Sequence, residues 1–310
     1  MIYRPQTWLI TGASGFLGRA LVDLLQLRPN QKRILISRKQ IPHRANTLQI
    51  HADLNEFTAL NSIINQHRPD IVLNLAGRTP PASDTDLWND NAELTFNLLN
   101  CLKSCQYPVR LVHAGSAAEL GEVPLEKLPV DESYKPDPVT TYGKSKWAAS
   151  EAVLQASGGP ITPMVARIFN LIGPGQSTHQ AFGRYAAELA ATEIGKPLQI
   201  KAFGLTHRRD FIDVRDAASA ILALADHGKT NQVYHVGTGV SRSLLEGLEI
   251  LAKISGRNVE WVESLNHSAQ GPLDSKASIR LIQMDTNWRP QVSFEQSLTD
   301  LWTGIVSTTP

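Results

Sequence analysis

Tyr142 and Lys146 stand one helical turn apart in Thr140-Thr141-Tyr142-Gly143-Lys144-Ser145-Lys146, and these two residue types at that spacing suit proton transfer. Residues i and i+4 share a helix face, so the ammonium of Lys146 can lie beside the phenol of Tyr142. A free phenol has a pKa of about 10, and a fixed positive charge beside it lowers that value toward neutrality. On this reasoning Tyr142 can donate or accept a proton at physiological pH. A solvated helix surface carries such pairs too, so the meaning of this one depends on what the rest of the chain places around it.

A second chemical element stands near the start of the chain. Thr11-Gly12-Ala13-Ser14-Gly15-Phe16-Leu17-Gly18 lies where an apolar run, Thr7 to Thr11, gives way to apolar residues at helical spacing from Phe16 to Leu27. Strand, glycine loop and helix in that order form the context a dinucleotide fingerprint requires. Glycines permit a tight turn and close backbone approach, and the helix N-terminus offers unpaired N–H groups to a pyrophosphate. Gly12, Ser14, Gly15, Phe16, Leu17 and Gly18 are therefore candidate cofactor contacts. The second strand should end near the adenine ribose, where an Asp or Glu would accept from the free hydroxyls of NAD. Here the chain reads Ser37-Arg38-Lys39, a hydroxyl and two cations that suit a 2′-phosphate, so NADP(H) is expected in preference to NAD(H). A solvated basic loop is the other reading of these three residues. Asp53, at the end of a third strand, is positioned to accept from the adenine amino group.

Such groups must be brought together by the elements that carry them. Ile34-Leu35-Ile36 within Arg33 to Ser37 reads as a buried strand, and Leu48 to Ala52 as another short one. A helix from Phe57 to His67 stops before Pro69 and leads to the strand Ile71 to Leu75. A long helix is expected over Trp88 to Cys105, then the strand Val109 to Ala114, the helix Thr140 to Gln155 and the strand Thr162 to Phe169. This alternation predicts an α/β protein with a parallel sheet covered by helices on both faces. After Asn170 the pattern loosens, with Pro174, Pro197, Pro272 and Pro290 between short elements. A strand at Phe211 to Val214, a helix from Asp216 and a strand at Val233 to Val236 restore it. The expected organisation is a Rossmann-like, doubly wound dinucleotide-binding domain over 1–169, to which 208–237 returns, with 170–310 forming mainly a smaller C-terminal substrate-binding lobe.

Composition narrows the function classes. The 310 residues carry 30 Lys and Arg against 29 Asp and Glu, so no global field attracts nucleic acid or an anionic membrane. The only two cysteines, Cys101 and Cys105, have no matching histidine cluster and make neither a zinc site nor a disulfide framework. His43, His51, His67, His113, His179, His207, His227, His235 and His267 are scattered without ligand spacing, so no metal is expected. The tryptophans, among them Trp8, Trp147, Trp261, Trp288 and Trp302, are expected to pack. With neither a leader pattern in Met1 to Gln6 nor a run of about 18 apolar residues, a soluble cytoplasmic protein is expected.

The glycine loop, Tyr142 and Lys146 belong to a longer ordered set: Asp53-Leu54, Leu75-Ala76-Gly77, Asn91, Ser116 in Gly115-Ser116-Ala117-Ala118-Glu119-Leu120-Gly121, Arg167-x-x-Asn170-x-x-Gly173-Pro174-Gly175, and Arg209-Asp210-Phe211-Ile212-Asp213-Val214. Across nearly its whole length the chain resembles an extended short-chain dehydrogenase/reductase, the superfamily of nucleotide-sugar epimerases, dehydratases and reductases. The resemblance implies that Tyr142 is the general acid/base, that Lys146 lowers its pKa and binds the nicotinamide ribose, and that Ser116 hydrogen-bonds the reacting oxygen. It also places Leu54, Leu75, Ala76 and Gly77 at the cofactor. A homodimer is implied by analogy, through the helices Trp88 to Cys105 and Thr140 to Gln155.

Members that dehydrate sugars carry an Asp-Glu pair after the residue equivalent to Ser116. Here those positions are Ala117 and Ala118, neither of which can transfer a proton, so a 4,6-dehydratase is not expected. Within the superfamily the chain is most similar to the GDP-4-keto-6-deoxy-mannose reductase group, on Gly173-Pro174-Gly175-Gln176-Ser177, His207 through Asp216, Trp288-Arg289-Pro290 and Glu295-Gln296-Ser297-Leu298. That similarity implies NADPH-dependent reduction of a 4-keto-6-deoxy nucleotide sugar, with Asn170, Arg184 and Arg209 toward the substrate and Arg209 on its phosphates. Arg184 reads equally as a solvated helix arginine. An Arg-Pro pair usual in that group is replaced by Gly271-Pro272, and Arg280 is the substitute the sequence offers. Alternatives are an epimerase with tightly held NAD(P) and, ranked lower, a non-catalytic dinucleotide-binding regulator.

Overall fold

The computed structural model describes residues 6–28, 30–39, 41, 45–193, 195–196, 198–264 and 273–307. His43, Pro197, His267 and the Gly271-Pro272 replacement lie outside these residues.

The strands that read as unbroken apolar runs form one sheet. β1 (Gln6–Thr11), β2 (Gln31–Ser37), β3 (Thr47–His51), β4 (Ile71–Asn74), β5 (Val109–Ser116), β6 (Ile161–Ile168) and β10 (Gln232–Val236) are ordered β10-β6-β5-β4-β1-β2-β3. Every neighbouring pair is parallel. Buried on both faces, a parallel strand has no polar side to present, which is why β4 is buried at all four positions. One face packs on α1 (Phe16–Leu25) and α7 (Val214–His227), through Leu21, Val22, Leu25, Ile221 and Leu224 against Trp8, Ile10 and Leu73. The other packs on α2 (Phe57–His67), α4 (Leu94–Lys103) and α5 (Thr141–Gln155), through Leu60, Ile64, Leu98 and Val153 against Leu9, Val72 and Leu111. This is the doubly wound α/β arrangement. Its order reverses beside β1, between β4 and β2, where such folds open a crevice at the carboxyl ends of the strands.

The looser second half builds its own core. α6 (Ala181–Ala190), α8 (Leu244–Ser255) and α10 (Phe294–Val306) bury Phe182, Tyr185, Leu248, Leu251, Leu298 and Leu301 together. Beside them β8 (Leu198–Ala202) pairs with β12 (Val259–Glu263), and β9 (Arg208–Asp213) lies between β7 (Asn170–Ile172) and β11 (Ser241–Ser243). Within 208–237, α7 and β10 belong to the main sheet's layers, whereas β9 pairs only with the short strands of the second half. The remaining helices are α3 (Asp84–Trp88) and α9 (Arg280–Thr286).

Most boundaries fall within one or two residues of those read in the sequence, and the larger differences lie around Asp213 and Asp84. The helix expected from Asp216 starts at Val214, because the Asp213 carboxylate caps it by accepting from Arg215 N–H. Its strand begins earlier too, at Arg208. The helix expected over 88–105 starts at Asp84, capped by Ser83, and passes through a π turn at Asn89–Glu93 before α4. Single π turns inside helices are frequent at functional sites; here Asp90 and Asn91 on the turn reach Arg78, beyond the carboxyl end of β4.

Candidate active site

The crevice predicted by the strand order is present as a cleft of about 770 Å³ between the sheet ends and the second half of the chain. Gly12, Gly15, Phe16, Leu17, Gly18, Leu75, Ala76, Gly77, Ser116, Tyr142, Lys146, Asn170 and Arg209 all line it. Sequence positions as distant as 12 and 209 thus share one wall.

Two glycines of the loop are required by contact. Gly12 has φ +67°, and a Cβ there would sit 2.7 Å from the Leu75 carbonyl and the Ala76 nitrogen. A Cβ on Gly18 would sit 2.2 Å from the Gly12 carbonyl oxygen, so α1 reaches the loop only without a side chain. The N-cap of α1 is Gly15, which supplies no side-chain acceptor. The first N–H groups of the helix, at Phe16 and Leu17, therefore face the cleft with the positive end of the helix dipole, as a pyrophosphate needs. The residues present fit a dinucleotide.

Thr140 sets the phase of α5. Its Oγ1 accepts from Gly143 N–H at 3.0 Å, fixing the first turn so that Tyr142 and Lys146 face the cleft together. Tyr142 is half-buried and bonded to the Ser116 hydroxyl. Lys146 is buried, with Nζ donating to the Ala114 carbonyl. The net lowering expected for the Tyr142 phenol is not what the structure gives: burial holds it above its ordinary value, the Ser116 bond offsets that only in part, and the Glu119 charge adds to the rise. Burial instead brings Lys146 down to about 8, against the raising influence of Glu119. The protein therefore presents a protonated phenol beside a lysine that titrates just above neutrality.

In the sequence Glu119 reads as one more turn residue. It is fully buried. Its Oε1 accepts from Ser116 N–H at 2.7 Å and from Ser150 Oγ at 2.9 Å, and its Oε2 pairs with Arg167 Nε at 2.9 Å. Ser116 in turn caps the 3₁₀ turn Ala117–Leu120, accepting from Ala118 N–H. This reciprocal capping box ties the serine to a buried ion pair. The Ser-x-x-Glu spacing at Ser116 was the available signal.

Other cleft residues had weaker signals. Arg78 follows Leu75-Ala76-Gly77, and Gln176 follows Gly173-Pro174-Gly175. Gln176 Oε1, Gln180 Oε1 and Asp274 Oδ1 are buried in the wall of the cleft without a donor from the protein. The Arg209 guanidinium is held below its ordinary pKa by burial, with Asp274 opposing.

Several expected contacts lie outside the lining. Ser14 follows the glycine turn and its carbonyl accepts from Arg19 at 2.9 Å. Ser37 Oγ donates to the Lys39 carbonyl, and Arg38 pairs with Asp90 at 3.3 Å. The Asp53 carboxylate accepts from both the backbone and side-chain nitrogens of Asn55, at 3.0 and 3.2 Å, rather than standing ready in the cleft. Leu54 is a core residue. Arg184 is exposed on α6 with its guanidinium over the Tyr185 ring, and Arg280 is exposed at the start of α9. Cys101 and Cys105 are buried free thiols. Among the described residues no cluster of His, Cys, Asp and Glu could hold a metal, and no helix is long and apolar enough to cross a membrane.

Known proteins are similar to this chain in sequence and fold. Residues 8–237 match the NAD dependent epimerase/dehydratase family. The chain is 31% identical to dTDP-6-deoxy-L-talose 4-dehydrogenase (NAD(P)(+)) of Kitasatospora kifunensis, over 96% of the chain and 95% of that protein. It is 30% identical to GDP-6-deoxy-D-mannose reductase of Pseudomonas aeruginosa, over 94% and 95%. The structure of RMD from Pseudomonas aeruginosa complexed with NADPH superposes with a TM-score of 0.84 at 30% identity, covering 98% of this chain and all of the other. A Thermotoga maritima UDP-glucose 4-epimerase with UDP-glucose shares the fold at TM-score 0.87 and 20% identity, covering 98% and 99%. The extent of the family match and these full-length relatives show that the chain belongs to the NAD dependent epimerase/dehydratase family.

Proposed function

We propose that this protein is an NAD(P)-dependent oxidoreductase that reduces the 4-keto group of a 6-deoxy nucleotide sugar, with NADPH as the preferred reductant and NADH as the alternative. One observation carries the proposal: a half-buried, protonated Tyr142 hydroxyl bonded to Ser116 in a cleft where positions 117 and 118 are alanines. Elimination of water needs a second proton carrier beside the sugar, and these alanines supply none.

Bound NADPH supplies a hydride to the ketone carbon. As that carbon gains electrons, negative charge builds on its oxygen, and the phenol of Tyr142 delivers a proton there while Ser116 Oγ donates a hydrogen bond to the same atom. The ammonium of Lys146, one turn away, stabilises the tyrosinate that results. Burial that raises the phenol's pKa favours the proton-loaded form, the one reduction consumes. The wall beyond Ser116 is apolar, with Leu120, Val123, Leu128, Val130 and Phe169 along the cleft. Such a wall suits a methyl group where an ordinary hexose carries a hydroxyl. Two relatives that differ in nucleotide, dTDP in one and GDP in the other, both act on 6-deoxy sugars, which supports the sugar more firmly than the base. Arg209 and Asn170 are assigned to the substrate, Arg209 at the diphosphate. The helices α4 and α5 are proposed as a homodimer face by resemblance.

A screen of 4-keto-6-deoxy nucleotide sugars with NADPH, followed by the fall in absorbance of the reduced nicotinamide, tests the proposal. Stoichiometric oxidation of NADPH supports it. Interconversion of sugars with no net oxidation would establish an epimerase instead.

A further inference from the structure

The geometry points to a two-arginine site for the 2′-phosphate of NADP(H), made by Arg38 and Arg78, with Asp90 as the counterion that gathers them. It rests on the cofactor preference proposed above and adds a residue, Arg78, that the end of the second strand does not disclose. In the sheet, β1 lies between β2 and β4, so the loops after β2 and β4 flank the glycine loop. Arg38 follows β2 and Arg78 follows β4. Both guanidiniums reach one oxygen: Asp90 Oδ2 lies 3.3 Å from Arg38 Nη2 and 2.8 Å from both Arg78 Nη2 and Arg78 Nε.

The arrangement is built rather than casual. Asn91 clamps the backbone of Arg78 from both sides, accepting from its N–H and donating to its carbonyl, each at 3.0 Å. Asp90 and Asn91 are neighbours on the π turn, which lets consecutive residues take the side chain and the backbone of Arg78. In an α-helix, consecutive residues do not share a face. Arg78 also lines the cleft. The Asp90 side chain is 9% exposed, against 57% for Arg38 and 38% for Arg78. The carboxylate thus sits beneath two cations that still reach solvent. One carboxylate against two guanidiniums leaves one positive charge over, and a phosphomonoester carries close to two negative charges with three acceptor oxygens. That anion can engage both arginines from the open side with charge-assisted hydrogen bonds, whereas the neutral hydroxyl of NAD offers one oxygen and no charge.

The test measures binding to the nucleotide-freed protein by nicotinamide fluorescence, with no sugar present, so it is independent of which sugar is reduced. The wild type is expected to bind NADPH more tightly than NADH; equal affinities would refute the cofactor preference itself. Arg78→Ala should weaken NADPH by roughly 10- to 100-fold, the range for losing a charged hydrogen-bond partner, and leave NADH within about threefold, retained NADH binding also showing that the cleft is folded. Equal losses for both cofactors would place Arg78 on the shared pyrophosphate and overturn the site while leaving the preference standing. Should Arg78→Ala fail to fold, Arg78→Lys keeps a cation beside Asp90 but loses the planar fork, and it should lower the NADPH-to-NADH preference. Asp90→Asn should keep or raise that preference; its loss would overturn the counterion assignment.

Discussion

Arg167→Met isolates what the buried ion pair beneath the site contributes. Arg167 and Glu119 side chains are 4% and 0% exposed, with Nε and Oε2 2.9 Å apart. Removing one partner leaves a carboxylate stranded out of water, which costs about 3–5 kcal/mol. Two other donors to Glu119, Ser116 N–H and Ser150 Oγ, remain and compensate part of the charge, so the lower end, about 3 kcal/mol, is expected. For a chain of this size that corresponds to a fall in Tm of roughly 6 °C. The companion variant, Glu119→Leu with Arg167→Met, buries no charge and should melt higher than Arg167→Met alone. It leaves Ser116 without the acceptor that fixes its backbone, so its kcat should fall about tenfold or more while NADPH affinity holds. Differential scanning calorimetry and steady-state kinetics read the two effects separately. A single variant that melts within a degree of wild type would refute the energetic argument, and a double variant with full kcat would refute the positioning of Ser116 by Glu119.

Tyr142→Phe should reduce turnover by at least about a hundredfold and leave NADPH affinity nearly unchanged, measured by kinetics and fluorescence titration; undiminished activity would remove Tyr142 from the mechanism. Lys146 has its folded pKa lowered by burial to about 8 from 10.5, so it is charged in both folded and unfolded states below that point. Between about pH 8 and 10.5 the unfolded chain binds the extra proton, and stability contributed by this group should rise with pH, while kcat/KM should fall as the ammonium is lost. Denaturant melts and a pH-rate profile check the two limbs; an activity limb absent in that window would count against a charged Lys146. Gly18→Ala should abolish dinucleotide binding, because its Cβ would meet the Gly12 carbonyl at 2.2 Å, and an unaltered Kd would contradict the loop packing.

The local signals in the chain were sufficient for the parallel sheet, the glycine loop and the Tyr142–Lys146 helix. Short continuous apolar runs between turn residues read as strands buried on both faces, glycines at Gly12 and Gly18 mark backbone contacts, and a four-residue spacing puts two side chains on one helix face. Those properties depend on residues close in sequence. The Glu119–Arg167 pair and the contact of Arg38 with Asp90 join positions 48 and 52 apart, which no local pattern encodes. Burial decided the rest. Spacing alone gave Lys146 as the influence on the Tyr142 phenol, but burial in the folded chain sets the direction of its shift, with Ser116 opposing and Glu119 adding. Only the packed tertiary structure determines how much water each group keeps.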